Sequence, residues 1–129
     1  MAVDKNKPIL IVDDYKTMLR IIRNLLKQVG FNNVDEAMDG TEALEKMKKT
    51  EYALVISDWN MEPMTGLELL KKVRAGEVGN KDVPFIMITA ESKTENVIEA
   101  KKSGVSNYII KPFNANTLKT KMQSVIGMF

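Results

Sequence analysis

Ile9-Leu10-Ile11-Val12-Asp13-Asp14 is four apolar residues in a row, closed by two carboxylates. A strand with one wet face would alternate apolar with polar residues. An unbroken run of this length reads as a strand buried on both faces, which occurs where helices cover both sides of a parallel sheet.

Working outward, Met18, Ile21, Ile22, Leu25, Leu26 and Val29 recur at helical spacing, and Gly30 suits a helix C-terminus. Val34 to Ala37 is a weaker strand signal, and Asp39 with Glu42 resembles a capping box before a helix carrying Leu44 and Met47. Tyr52 to Ser57 is the second strong strand, ending at Asp58. Thr65 and Glu68 make another capping-box pattern, opening a helix with Leu67, Leu70 and Val73. Gly76 to Asp82 is polar and reads as a loop. Phe85 to Ile88 is a strand ending at Thr89; Ser92 and Glu95 cap a helix holding Val97 and Ile98, closed by Gly104. Tyr108 to Ile110 is the last strand, stopped by Lys111-Pro112, and Asn114 starts a final helix with Leu118, Met122, Val125 and Ile126.

The pattern is βα five times over, spanning 1–129 as a single domain with no linker. It predicts an α/β fold with a doubly wound, five-stranded parallel sheet, each crossover laying its helix against the sheet. In the flavodoxin-like strand order 2-1-3-4-5, the ligand crevice opens between strands 1 and 3, beyond their carboxyl ends.

Composition narrows the chemistry. There is no Cys and no His in the 129 residues, which removes thiolate nucleophiles, Ser-His-Asp triads and His- or Cys-ligated metals. The net charge of +2 gives no reason to expect nucleic acid or a membrane surface as partner. Met1 to Pro8 lacks a signal-peptide core, and no apolar run approaches the roughly 18 residues of a membrane span. The expectation is a soluble, cytoplasmic protein. Trp59 and the nine Met read as packing residues.

The strand ends carry the rest. Strand 1 ends in Asp13 and Asp14, strand 3 in Asp58, strand 4 in Thr89 and strand 5 in Lys111. Three converging carboxylates repel one another, so the site either protonates one or binds a cation. An all-oxygen set favours a hard ion, and a small site that keeps waters and shares the ion with a phosphate suits Mg2+. A carboxylate beside such an ion, a hydroxyl and a lysine can attack a phosphoryl group; Asp58, alone on the central strand, is the nucleophile, with Asp13 and Asp14 holding the ion. Singly these residues are ordinary: Asp14 alone is more often a helix N-cap than a ligand, and Lys111-Pro112 alone is usually a turn. Their coincidence at one crevice carries the argument.

Asp13-Asp14, Asp58, Thr89-Ala90 and Lys111-Pro112-Phe113 together resemble the receiver domain of two-component response regulators, over about residues 8–127. Asp58-Trp59-Asn60-Met61, Gly66-Leu67-Glu68-Leu69-Leu70, Thr89-Ala90-Glu91, Arg23-Asn24-Leu25-Leu26 and Gly30-Phe31-Asn32-Asn33-Val34 bring it nearest to the chemotaxis members of that family. The resemblance implies that Asp58 accepts a phosphoryl group from a sensor histidine kinase, here a chemotaxis kinase. It implies Mg2+ held by Asp13, Asp14, Asp58 and the Asn60 main-chain carbonyl, and phosphoryl oxygens met by Thr89 and Lys111, with a cis Lys111-Pro112 bond. Asn60 and Glu91 match positions that tune dephosphorylation, and Tyr108 matches an aromatic switch that turns inward as Thr89 moves. Val97, Lys101, Val105, Tyr108 and Lys121 would form the output face, which in the chemotaxis members binds the flagellar motor switch protein. The implied protein is a monomer and not an enzyme toward other substrates. From Ile86 onward there are six Lys against three Glu and no Asp or Arg, which favours an acidic partner segment.

The loop Met61-Glu62-Pro63-Met64-Thr65-Gly66 departs from the family pattern, with Pro one place later and Thr65 where Asp is usual. Pro63 restricts Glu62 to extended geometry, and Glu62 adds a negative charge near the site. The alternatives are a receiver in another phosphorelay or kinase-adaptor role, a phosphohydrolase and a flavin carrier. A phosphohydrolase with an aspartate nucleophile would want Asp where Tyr15 stands. A flavin carrier would want a Ser/Thr/Gly-rich phosphate loop where Asp13-Asp14 would repel a phosphate.

Overall fold

A computed structural model describes residues 4–90 and 94–129. The elements run β1 (Ile9–Val12), α1 (Lys16–Gln28), β2 (Val34–Ala37), α2 (Gly40–Lys49), β3 (Leu54–Asp58), α3 (Gly66–Arg74), β4 (Phe85–Thr89), α4 (Thr94–Lys102), β5 (Asn107–Ile110) and α5 (Ala115–Ile126). The strands form one parallel sheet, as the βα rhythm predicts, in the flavodoxin-like order β2-β1-β3-β4-β5.

Every residue of β1, β3 and β4 is buried, because alternate side chains feed two separate cores. Ile9, Ile11, Ile56, Ile86 and Ile88 face Leu19, Ile22 and Leu26 of α1 and Leu118 and Met122 of α5. Leu10, Val12, Val55, Phe85 and Met87 face Ala43 and Met47 of α2 and Leu69, Leu70 and Val73 of α3. Each of these side chains except Ala43 contributes about 1.5–3 kcal/mol by leaving water. Ile21, on the helical period of the apolar stripe, is 45% exposed instead: it lies one position off the face that Leu19, Ile22 and Leu26 bury.

Local signals set the helix starts. Asp39 Oδ1 accepts from the Glu42 amide (2.8 Å), but the Glu42 carboxylate reaches back to the Met38 amide rather than to the cap residue (3.0 Å). Thr65 and Glu68 complete a reciprocal capping box. The N-cap of α1 is Tyr15 with no side-chain cap, so Asp14 does not serve there. Ser92, expected to cap α4, lies outside the described residues. Among the described residues, no helix is long and apolar enough to cross a membrane.

Candidate functional site

Parallel register brings the strand ends level. Val12 sits beside Ser57, so Asp13, one residue on, comes level with Asp58, which itself pairs with Ile88 next to Thr89. Thr89 pairs with Ile110, and Lys111 follows. Main-chain bonds extend past the strands: Asp13 N–H donates to the Ala37 carbonyl (3.1 Å), Trp59 N–H to Ile88 (2.8 Å) and Lys111 N–H to Thr89 (2.8 Å).

Carboxylate oxygens of Asp13, Asp14 and Asp58 all lie within 4.8 Å of one another. Asp13 is 2% exposed, Asp58 5% and Thr89 6%, whereas Asp14 is open to solvent. Lys111 Nζ is 2.8 Å from Asp58 Oδ1. Asp13 Oδ1 accepts from the Tyr15 amide (3.0 Å), and Asp13 Oδ2 is the one buried side-chain N or O atom without a hydrogen-bond partner among the described residues. Burial first, opposed by the Tyr15 amide, and then the neighbouring Asp58 push the Asp13 carboxyl up to about 6; the Lys111 charge pulls it down and Asp14 adds a smaller push upward.

The set fits a divalent cation. Three carboxylates crowd together, one lysine offsets only part of their charge, and a buried carboxylate oxygen is left over; each feature is a cost that a bound cation removes.

Asn60 is exposed at the start of the β3–α3 loop, while Met61 beside it is buried. Glu62 is exposed, and both Glu62-Pro63 and Lys111-Pro112 are cis. Gly66 was legible only as a loop glycine. A Cβ there would stand 2.3 Å from the Asp58 carbonyl oxygen, so glycine is what lets α3 begin against the end of β3. Tyr108 is half-buried, with Lys121 Nζ 5.2 Å from its ring centre. Lys101 is exposed and Val97 and Val105 are intermediate, on the β4–β5 side of the sheet. Glu91 lies outside the described residues.

Fold and site define a doubly wound, flavodoxin-like domain whose switch-point crevice is acidic and closed on one side by a lysine. A profile of the response regulator receiver domain matches residues 9–123, and the chain belongs to that family. It is 52% identical over 123 residues to chemotaxis protein CheY-3 of Vibrio cholerae serotype O1, covering 95% of this chain and 94% of that one. To chemotaxis protein CheY of Pseudomonas aeruginosa PAO1 it is 49% identical over 117 residues, covering 91% and 94%. The crystal structure of CheY4 of V. cholerae superposes with a TM-score of 0.85 at 37% identity, covering 93% of this chain and 98% of that one. The receiver domain of a P. aeruginosa sensor histidine kinase, solved with a magnesium ion coordinated in its active site cleft, superposes with a TM-score of 0.84 at 25% identity over 95% and 98% of the chains.

Proposed function

We propose that this chain is a phosphoryl-controlled binding switch of bacterial chemotaxis, taking its phosphoryl group on Asp58 from a histidine kinase in the cytoplasm. The observation that carries the reading is the cluster of three carboxylates, Asp13 and Asp58 buried and Asp14 open to solvent, with Lys111 Nζ 2.8 Å from Asp58 Oδ1. The chain spans 94% of each of two curated chemotaxis relatives, so the function carried over is that of a whole protein.

Asp13, Asp14, Asp58 and the Asn60 carbonyl would hold Mg2+, which when bound offsets the charge on the phosphoryl oxygens. An Asp58 carboxylate oxygen attacks phosphorus in line; the new O–P bond forms as the P–N bond to the donor imidazole breaks, leaving an acyl phosphate. Lys111 gives up its contact with Asp58 Oδ1 and donates to one phosphoryl oxygen, and the Thr89 hydroxyl donates to another. Asn60 and Glu91 govern access of the water that later hydrolyses the acyl phosphate. The chain catalyses only its own phosphorylation and dephosphorylation.

Thr89 and Tyr108 stand on neighbouring strands, so a shift of Thr89 toward the phosphoryl group opens room for the Tyr108 ring. That change biases the face carrying Val97, Lys101, Val105, Tyr108 and Lys121 toward its partner. The basic side chains there favour an acidic segment, and the flagellar motor switch protein is the partner proposed. An output in another phosphorelay would leave the site chemistry the same and change only this face.

Intact mass after incubation with a small-molecule phosphodonor tests the reading. A phosphoryl adduct that requires Mg2+ and is absent in Asp58→Asn is the expected result. A chain with no adduct, or an adduct that survives Asp58→Asn, would end it.

A further inference from the structure

The β3–α3 loop, residues 59–65, is tied down at both ends. Trp59 N–H donates to the Ile88 carbonyl (2.8 Å), and Gly66 N–H donates back to the Trp59 carbonyl (2.9 Å). Met61, 3% exposed, plugs into the apolar layer that holds Val12 and Ala37. The outer part of the loop leans on α2 instead. Met64 packs over Gly40, the first residue of that helix: a Cβ built on Gly40 would stand 2.5 Å from Met64 Sδ and 2.9 Å from both its Cβ and Cγ.

Sulfur at the far end of the side chain can swing aside. Met64 Cβ cannot, because its position follows the main chain, so any side chain at residue 40 must move the loop itself. Nothing in the backbone asks for glycine, since Gly40 is not among the positive-φ glycines, and alanine is the better helix former. The reason for glycine at this position is the room it leaves for Met64.

The start of α2 is also tied to the metal side of the crevice. Asp13 N–H donates to the Ala37 carbonyl (3.1 Å), and the bonds from Met38 N–H to the Glu42 carboxylate and from Glu42 N–H to Asp39 Oδ1 hold the turn that follows. The contact between Gly40 and Met64 therefore closes a ring that joins Asp13 to the loop leaving Asp58. We propose that this seat is a spacer, setting how near the Asn60 carbonyl stands to Asp13 and Asp58 and so tuning divalent-cation affinity. The inference rests on the metal reading above. Gly40 and Met64 are positioning residues that touch no ligand.

The test uses Gly40→Ala, Met64→Gly and the double variant of the full chain. Mg2+ affinity is read by calorimetry, and amide exchange at residues 59–66 is read in metal-free protein. Gly40→Ala is expected to weaken Mg2+ binding about tenfold, as for a disturbed outer shell, and to speed loop exchange while β1 and β4 stay protected. In the double variant all three close approaches are gone, the Met64 Cβ among them, so it binds Mg2+ more tightly than the two single losses multiplied together. Wild-type affinity in Gly40→Ala, unchanged loop exchange, or simple multiplication in the double variant would overturn the spacer. A wild-type chain that binds no Mg2+ would instead overturn the metal reading, and the spacer with it.

Discussion

Asp13 is where the crevice's electrostatics are most visible. Its carboxyl is pushed up to about 6 from 3.8, by burial before any other cause. The folded metal-free chain therefore binds this proton more tightly than the unfolded chain does. Between about pH 4 and pH 6 the native state carries more proton, so this residue's contribution to stability falls as pH rises, and above that window the full penalty remains. Asp13→Asn keeps an acceptor for the Tyr15 amide and removes the buried charge. Without metal at pH 7.5 the variant is expected to be more stable, by on the order of 1–3 kcal/mol, with the gap closing toward pH 4. Urea unfolding at the two pH values checks this, and a gap independent of pH would count against a shifted Asp13. The pair Asp13-Asp14 was legible in sequence as ion-holding carboxylates, but which of the two is buried was not. That difference arises because the chain turns into α1 directly after Asp13, with the Tyr15 amide on Asp13 Oδ1 and Asp14 left in solvent.

Among the elements, α3 and α4 show how local and distant signals divide. The end of α4 was legible from Gly104, which stands at φ +93° and closes the helix with Val105 N–H on the Ala100 carbonyl and Gly104 N–H on Lys101 (both 3.1 Å). Arg74, at the end of α3, carried no sequence signal. Its guanidinium donates to three main-chain carbonyls: Gly104 (2.9 Å), Lys81 (2.8 Å) and Val83 (2.7 Å). These partners lie as far as 30 residues away, beyond the reach of any local pattern. Burial lowers the Arg74 pKa from its ordinary value, yet the planar fork still meets three acceptors at once. Arg74→Ala is expected to cost about 2–3 kcal/mol in urea unfolding, because it removes charge-assisted bonds to carbonyls that lose their donor. Arg74→Lys should recover less than half of that loss, since one ammonium cannot span all three carbonyls. Full recovery by lysine would mean that charge, not the fork, matters.

For the molecule as a whole, cation binding and folding are one equilibrium. Anything that binds only the folded state stabilises it, by about 2.7 kcal/mol at a concentration one hundred times its Kd. Mg2+ is accordingly expected to raise the thermal midpoint in a saturable way that an equal ionic strength of NaCl does not reproduce. Asp13→Asn should lose that response. A midpoint insensitive to Mg2+ in the wild-type chain would contradict the assembled site. Because Lys111 and the three carboxylates stand at the ends of three different strands, the response reports on the sheet's assembly and not on one loop.

Sequence alone determined the order of the elements, the two apolar layers and the identity of the residues at the strand ends. Those are encoded by neighbours: an apolar run closed by Asp13-Asp14, a helical period, a capping box at Thr65. The tertiary structure decided what no neighbour encodes. It made β1 and β3 adjacent, so that Asp13 and Asp58 share a crevice; it set Lys111 on Asp58, closed Arg74 over two distant turns and seated Met64 on Gly40. The reason is physical. Hydrogen bonding within a helix turn and the period of burial act over a few residues, whereas the spacing of strand ends follows from pairing between segments tens of residues apart.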